Sequence, residues 1–312
     1  MPDVSSHWAE VLTPALTESF TIGFADRPAS LIGSVFGVKT SERAYEQHIG
    51  VGVLSSKGWA FDGPNGQGRV TYDDRNKGYA STFTHREFAR GFVVERKLVE
   101  DNQSGQAFDD ASALGDASFR VREISGASVF NNAFTSTTNQ DGYSTLGPDS
   151  VVLCSAAHPY SADASGSTQS NAGSSALSKA NVATTRVAMM KFTDDRGDIM
   201  DVMPDTLIVP PDLEDTALEI TKSLLDPTSG NNAVNPQAGR FRTIVWHYLT
   251  DTNNWFMAES SRMKRSLLWY DRIPVEFGRE QDFDTFQAKF RVYMRYSYGW
   301  RDWSWVYGHA VS

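Results

Sequence analysis

The sequence predicts an α+β fold, in which helices and meander-type strands occur in separate runs. Three stretches support this prediction: a helical pattern across residues 104–134, a two-residue alternation across residues 285–299, and a helix, turn, strand and helix in series across residues 177–225. Helices and strands do not alternate strictly along the chain and no internal repeat is visible. We therefore do not expect a doubly wound parallel sheet.

Length, composition and charge exclude several classes of protein. The chain has 312 residues, of which 40 % are hydrophobic and 21 % are charged, so it can bury a large core. Its single cysteine, Cys154, excludes an intrachain disulfide. The formal charge of -9 argues against a protein whose main role is to neutralise nucleic-acid phosphates. The sequence shows neither a membrane span nor a secretory signal, so we expect a cytosol-like compartment and no membrane contact.

The first 85 residues contain short apolar islands followed by a glycine-rich segment. Residues 1–45 form a predicted arm, in which only residues 8–16 have a helical pattern. Residues 46–85 predict a long hairpin, with residues 69–73 and 79–83 as its two strands. For the arm two placements stay open: it lies across a neighbouring molecule, or it runs as a meandering strand on its own domain. We expect that the chain cannot cover its protruding arm and hairpin by itself, and that the hairpin lies against a neighbouring molecule. The candidate contact residues are the hairpin aromatics Trp59, Phe61, Tyr72 and Tyr79.

A strand and a long helix are predicted next. Residues 87–99 form the strand, with its apolar centre at residues 92–94. Residues 104–134 form the helix, although Gly115 and Gly126 each cost about 1 kcal/mol relative to alanine. The apolar side of the helix consists of Ala107, Ala111, Leu114, Val121, Ile124, Phe130 and Phe134. Residues 151–154 predict a short buried strand, and residues 161–175 an exposed loop.

The central stretch begins with a helix capped by Ser178. Its predicted buried stripe is Ala180, Ala183, Val187 and Met190. A turn at Gly197 then joins short strands at residues 190–192 and 199–202, and a buried strand at residues 207–209 ends at two prolines. The following helix has an acidic first turn, which the helix dipole favours. Its predicted buried stripe is Leu213, Ala217, Ile220 and Leu224.

The carboxyl-terminal part predicts four strands. Residues 241–248 and 255–257 form the first two, and residues 285–299 the clearest strand of the chain. The core face of that strand consists of Phe286, Ala288, Phe290, Val292, Met294, Tyr296 and Tyr298. The aromatic residues 300–307 predict a last strand that returns to the same sheet.

Residues 203–211, Met-Pro-Asp-Thr-Leu-Ile-Val-Pro-Pro, followed by an acidic amphipathic helix, resemble the major head subunits of Mu-like tailed phages. The order of elements along nearly the whole chain is similar as well. The resemblance implies a Hong Kong 97-type phage capsid fold. Its implied parts are an N-terminal arm (1–45), an extended β-hairpin loop (46–85), a peripheral domain with a long spine helix and an antiparallel sheet (86–144), a mixed α/β axial domain (145–270) and C-terminal strands that return to the peripheral domain (271–312).

The implied function is that of a major capsid protein, which assembles itself from pentamers and hexamers into an icosahedral virion shell around double-stranded DNA. The resemblance implies assembly in the bacterial host cytoplasm and no sequence-specific DNA binding. Because the arm begins near Met1, a separate scaffolding protein is expected, together with a portal and a decoration protein as an optional partner. Some members cross-link a loop lysine to a neighbour's asparagine, for which Lys57 and Lys77 are candidates. No catalytic, cofactor-binding or metal-binding residues are implied.

Three alternatives remain open at this point. An encapsulin-type nanocompartment would use the same fold. A cysteine-dependent hydrolase would pair Cys154 with His158, His85 or His247, although a lone cysteine after an apolar run is more often a core residue. A carbohydrate-binding or adhesion module would use the eight tryptophans and eleven tyrosines, or the Arg-Gly-Asp tripeptide at residues 196–198, which a hairpin turn explains equally well. The six histidines lack the spacing of a metal site.

Overall fold

The computed structural model describes residues 8–25, 27–57, 70, 72–101, 104–162, 168–225, 234–282 and 284–312. Its helices are α1 (Trp8–Ala25), α2 (Ile32–Val35), α3 (Arg96–Glu100), α4 (Ser104–Asn131), α5 (Lys179–Met190), α6 (Glu214–Lys222, preceded by the 3-10 turn Pro211–Leu213) and α7 (Ser260–Ser266). Its strands are β1 (Gly37–Thr40), β2 (Tyr45–Val51), β3 (Lys77–Thr84), β4 (Arg86–Glu95), β5 (His158–Pro159), β6 (Thr168–Gln169), β7 (Ala172–Gly173), β8 (Thr206–Val209), β9 (Arg242–Val245), β10 (Trp255–Ala258), β11 (Leu267–Asp282), β12 (Gln287–Trp300) and β13 (Val306–His309).

Two sheets organise the molecule, and the α+β class is confirmed. The four-stranded sheet has the order β1-β11-β12-β4, and the long helix α4 packs on one of its faces. The five-stranded sheet has the order β7-β13-β10-β8-β9 and packs against α5 and α6. The largest hydrophobic core joins the two sheets, because Trp269 and Tyr296 of the first sheet and Phe256 of the second pack in one cluster with Phe130 of α4.

Strand β12 confirms the predicted core face. Every second side chain of the strand from Ala288 to Tyr298 is buried on the side of α4, while Lys289 and Arg291 point to solvent. Phe286 is the exception, because it precedes the strand with a positive φ of 53° and is exposed. β12 pairs with β4 on one side and on the other with the 16-residue strand β11, which the sequence pattern did not indicate.

Helix α4 is confirmed, and its glycines have a packing role. A β-carbon on Gly115 would lie 2.3 Å from the backbone oxygen of Phe20 in α1, and one on Gly23 of α1 would lie 2.1 Å from the backbone oxygen of Ser112. The two helices therefore approach closely where neither has a side chain. On the predicted apolar stripe, Val121 is exposed, so the stripe is interrupted there.

The prediction that the first forty-five residues cannot be covered by their own chain is wrong for the described part. Helix α1 runs for 18 residues through Pro14, far beyond the expected residues 8–16. Its Leu16 and Phe20 are buried against α4 and the four-stranded sheet. Val35 and Phe36 belong to the largest core. Packing against α4 compensates the cost of a proline inside a helix, about 3 kcal/mol.

The central stretch follows the predicted order with two corrections to its buried faces. The Ser178 hydroxyl caps α5 by accepting the Asn181 N–H, and all four residues of β8 are buried, as predicted. The buried stripe of α5 is Val182, Thr185 and Met189 rather than Ala180, Ala183, Val187 and Met190. In α6 Ala217 and Ile220 are buried as predicted and Leu213 is half-buried, whereas Leu224 lies beyond the helix end and is exposed.

Three further strand predictions are corrected. Residues 151–154 form no regular strand, since their ladder consists of one bridge between Leu146 and Val152. The strands expected on either side of Gly197 reduce to one bridge between Thr193 and Ile199. The last strand, β13, pairs with β10 and β7, so it joins the five-stranded sheet and not the sheet of β12. None of the described helices is long and apolar enough to cross a membrane.

Candidate assembly surface

Strands β2 and β3 form a two-stranded hairpin that stands apart from both large sheets. They pair from Tyr45 with Thr84 to Val51 with Lys77. The described partner of residues 79–83 is therefore β2. Of the strand predicted at residues 69–73, residues 70, 72 and 73 are not in a strand, and residues 69 and 71 lie outside the described residues. The register shifts between Ile49 and Val51, where a β-carbon on Gly78 would lie 2.4 Å from the backbone of Gly50. Two facing glycines allow this close approach.

One face of the hairpin exposes apolar side chains, with the polar Gln47 and Thr82 between them. Because strand residues alternate between faces, Tyr45, Ile49 and Val51 of β2 lie on the same side as Ala80 of β3, and all four are exposed. The side chain of Ile49, for example, is 68 % exposed to solvent. We refer to these four residues as the hairpin face. The sequence signal for it, the alternation from Tyr45 to Val51, lay at the boundary between the predicted arm and hairpin and was missed.

The opposite face of the hairpin is anchored to the body by an aromatic cluster. Phe83 and His48 pack against Tyr270 of β11, with ring centroids 5.4 Å and 6.1 Å from the Tyr270 ring. Burial is the main cause that lowers the pKa of His48, and the same holds for His85. His85 lies between the hydroxyls of Ser41 (3.1 Å) and Ser297 (2.9 Å). Both rings are therefore neutral at neutral pH, and the anchor carries little charge.

The four aromatic residues predicted as contacts have different positions. Tyr72 is 92 % exposed. Tyr79 is half-buried and donates a hydrogen bond to the Ser161 carbonyl at 3.0 Å, so its side chain contacts its own chain. Trp59 and Phe61 lie outside the described residues. The contact role of all four stays a prediction.

The two candidate lysines for a cross-link also differ. The Lys57 ammonium pairs with Asp198 of the same chain at 3.2 Å. Lys77 opens β3 with an exposed side chain. Neither position tests the cross-link.

The geometry gives no support to a cysteine-dependent hydrolase. Cys154 is buried, and burial raises the pKa of its thiol, which disfavours the nucleophilic thiolate. The Nδ1 atom of His158 hydrogen-bonds Asp149 at 2.6 Å, and its ring stacks on Trp303. His85 is bonded to two serines, as described above. Within the described part of the chain, no three His, Cys, Asp or Glu side chains are grouped so that they could hold a metal ion.

Solved structures from phages and from a virus-like particle share this fold. The procapsid of bacteriophage JBD30 matches with a TM-score of 0.51 and 14 % identity over 98 % of this chain and 75 % of that chain. Microbacterium phage Oxtober96 matches with a TM-score of 0.54 and 11 % identity over 92 % and 93 %. A virus-like particle from Pyrococcus furiosus matches with a TM-score of 0.55 and 10 % identity over 95 % and 98 %. The fold is therefore the Hong Kong 97-type capsid fold, as the sequence predicted.

The family follows from the sequence itself. Residues 79–308, well over half of the chain, match the family model described as phage capsid protein, so the chain belongs to the phage capsid protein family. No curated protein matches the chain. Family and fold together are those of a major capsid protein with a structural role, which confirms the functional prediction. The encapsulin alternative is weaker, because the matching family is that of phage capsids.

Proposed function

We propose that copies of this chain close into the icosahedral shell of a tailed phage, built from pentamers and hexamers, and that the hairpin face is one of the surfaces through which they meet. The observation that carries this proposal is the exposure of Tyr45, Ile49 and Val51 on a two-stranded hairpin. The other face of the hairpin is anchored to the body, so these exposed apolar side chains have no cover from their own chain, which is typical of a protein interface. A neighbouring copy would cover it.

The apolar surface that one subunit offers to its neighbours in such a shell is smaller than the sequence suggested. Helix α1 packs on its own subunit, so the described part of the arm leaves few apolar residues for a neighbour. Of the arm and the hairpin, it is therefore the hairpin that supports association, in the part of the chain that the structure describes. Because each contact in a closed ring is made at high effective concentration, modest contacts of this size add up to a stable shell.

The finer assignments belong to the same proposal. We infer that the chain belongs to the Mu-like subfamily and that its role involves no catalysis. We also infer its division into an arm (1–45), a hairpin loop (46–85), a peripheral domain (86–144), an axial domain (145–270) and returning strands (271–312). The subunit would assemble in the bacterial cytoplasm with a separate scaffolding protein and a portal, and become part of the virion. A decoration protein is an optional partner. The capsid of bacteriophage JBD30 decorated with minor capsid protein trimers is similar in fold, with a TM-score of 0.53 at 17 % identity over 77 % of this chain and 98 % of that chain. The enclosed double-stranded DNA would be held without sequence-specific contacts, in keeping with the charge of -9.

The test is assembly of the purified protein, followed by sedimentation velocity and negative-stain microscopy, with the scaffolding protein supplied. The wild type is expected to form closed shells. Ile49→Asp places a charge on the hairpin face and is expected to stop assembly at small oligomers, with an unchanged circular dichroism spectrum. Val187→Asp, on the exposed side of α5, is the matched control and is expected to form shells.

Two results would contradict the proposal. A wild type that stays monomeric under every assembly condition would remove the shell function. Shells of Ile49→Asp equal to those of the wild type would remove the role of the hairpin face. Neighbouring genes separate the phage capsid from the encapsulin alternative, since terminase and portal genes accompany the first and a cargo enzyme the second.

A further inference from the structure

The turn at residues 193–199 is held in one conformation by its own backbone and by Asp194. Gly197 has a φ of +80°, which only glycine adopts easily. The Asp194 carboxylate accepts the N–H groups of Arg196 and Asp198, each at 2.9 Å. The backbone N–H of Asp194 also donates to the Asp198 carbonyl at 2.8 Å. These bonds fix the directions in which the neighbouring side chains leave the turn.

The Arg196 side chain contacts both chain segments that continue the hairpin beyond its strands. On the outgoing segment, its Nε donates to the Val53 carbonyl at 3.0 Å. On the returning segment, its terminal nitrogen donates to the Asp74 carbonyl and pairs with the Asp73 carboxylate at 3.1 Å. A single guanidinium therefore joins the two segments to each other and to the five-stranded-sheet side of the subunit. Only 22 % of this side chain is exposed.

The two aspartates that flank Arg196 and Gly197 bind the same segments. Asp195 accepts a hydrogen bond from the Asn76 side-chain amide at 2.8 Å. Asp198 accepts the Ser56 hydroxyl and pairs with the Lys57 ammonium at 3.2 Å. The Ser56 bond first, and then Lys57, lower the pKa of Asp198, so it remains charged in this position. Three side chains of one turn thus bind residues 53–57, which follow β2, and residues 73–76, which precede β3.

Between this turn and the aromatic anchor the hairpin is loosely packed. A cavity of about 270 Å³ lies between the hairpin and the body, with Gly52, Tyr79 and Trp300 among its lining residues. The facing glycines Gly50 and Gly78 lie at the same level, at the register shift of the ladder. A hairpin with a glycine bulge and little packing beneath it can bend there. The contacts with the turn at residues 193–199 therefore determine the direction in which the ends of β2 and β3 beyond these glycines point.

We propose that Asp195, Arg196 and Asp198 form a clamp that fixes the direction of the hairpin on its own subunit before a neighbour binds. A segment already held in its bound direction loses less conformational freedom on association, so the clamp favours assembly. Its consequence for assembly rests on the proposed function, whereas the clamp itself is a property of the single subunit. The Arg-Gly-Asp tripeptide is thereby assigned an internal role, because both charged side chains are bonded within the chain.

Hydrogen exchange of the unassembled subunit tests the clamp. Arg196→Gln is expected to speed amide exchange in residues 45–57 and 72–84 about tenfold, since the charge-assisted bonds to both segments are lost. Arg96→Gln removes an arginine of similar exposure from an ion pair with Glu100 and is the matched control, with no change expected in the hairpin. Raising the salt concentration to roughly 1 M is expected to speed exchange in the wild type and to have little effect on Arg196→Gln. Unchanged exchange in Arg196→Gln would overturn the clamp.

A disulfide tests whether the clamped direction is the one used in assembly. A β-carbon on Gly52 would lie 2.3 Å from the Asp195 carboxylate oxygen, so the side chains of Gly52→Cys and Asp195→Cys would meet, and oxidation of this pair is the trial cross-link. The native Cys154 is buried and does not compete. The oxidised variant is expected to assemble at least as fast as its reduced form, and Arg196→Gln more slowly than the wild type.

The outcomes separate the two proposals. If only the reduced cysteine variant assembles, the hairpin must leave the clamp, and the proposed direction is wrong. If the wild type forms no shell, the proposed function fails, while the exchange measurement on single subunits still decides on the clamp.

Discussion

A charged pair between α4 and β11 is expected to be among the most costly contacts to break. Arg122 donates two hydrogen bonds to Asp271, at 2.9 Å and 3.1 Å. The indole N–H of Trp269 donates to the same carboxylate at 3.0 Å, and the guanidinium lies over the rings of Trp269 and Tyr296 at 5.2 Å and 5.7 Å. The pair lies beside the register shift between Asp271 and Ile273, so it fixes the long helix at an irregular point of the sheet.

The expected magnitude follows from the burial of the pair. Each side chain is 18 % exposed. Breaking a fully buried pair costs about 3–5 kcal/mol because the remaining charge has no partner, and the partial exposure reduces this to about 3 kcal/mol for Asp271→Asn. Arg122→Met keeps the apolar stem in contact with the two rings. We expect the double variant to recover part of the loss, with a coupling free energy of about 2 kcal/mol.

Urea unfolding of the unassembled subunit measures these free energies in a double-mutant cycle. The matched control is the surface pair Arg279 and Glu10, which is 3.3 Å long with side chains 35 % and 56 % exposed. Its coupling free energy is expected to stay below about 0.5 kcal/mol. A coupling for Arg122 and Asp271 as small as that of the control would refute the reasoning from burial.

Two other changes have defined outcomes in the same unfolding assay. Burial lowers the pKa of His309 from 6.5 to about 4, and its neutral ring is hydrogen-bonded to the Thr185 hydroxyl at 2.8 Å. The unfolded histidine binds a proton below about pH 6.5, whereas the folded one does so only near pH 4. The free energy of unfolding should therefore fall by roughly 2 kcal/mol as the pH is lowered over this range. His309→Gln should flatten this part of the plot of unfolding free energy against pH. Gly115→Ala should destabilise the subunit by about 2 kcal/mol, because its β-carbon would lie 2.3 Å from the Phe20 oxygen. In the same helix Gly105 has open space around it, so Gly105→Ala should stabilise by up to about 1 kcal/mol, and equal effects at the two sites would contradict the close helix contact.

The elements that the sequence predicted well are those whose side chains repeat at one spacing. Helix α4, strand β12 and strand β8 could be identified because a long stripe, a long alternation and an apolar run between turn residues each indicate one conformation. The stretch at residues 203–211 added the family, which no single element could have given. Even so, the wrong side of α5 was predicted to be buried. Thr185 is buried and hydrogen-bonded to His309, whereas the apolar Val187 faces solvent.

The candidate surface was predicted only in outline. The glycines and aromatics of residues 46–85 indicated a projecting hairpin, but its first strand was missed, and the described partner of residues 79–83 is that strand. Likewise, the aromatic residues 300–307 were expected to form a strand of the same sheet as β12, whereas β13 joins the five-stranded sheet. Strand pairing depends on which distant segments can share a core, and that information is not present in local spacing.

The class of fold, the long helix, the main strands and the resemblance to a capsid family could be read from the amino-acid sequence, since local periodicity and short motifs are sufficient for these. Only the tertiary structure decided that the arm helix lies on its own subunit, because the apparent breakers Pro14 and Gly23 are tolerated where α1 packs closely on α4. It also decided that the Arg-Gly-Asp turn holds the hairpin, through contacts between residues more than a hundred positions apart. Contacts at such separations depend on the whole chain being folded, and for this reason the arm and hairpin were the least predictable parts.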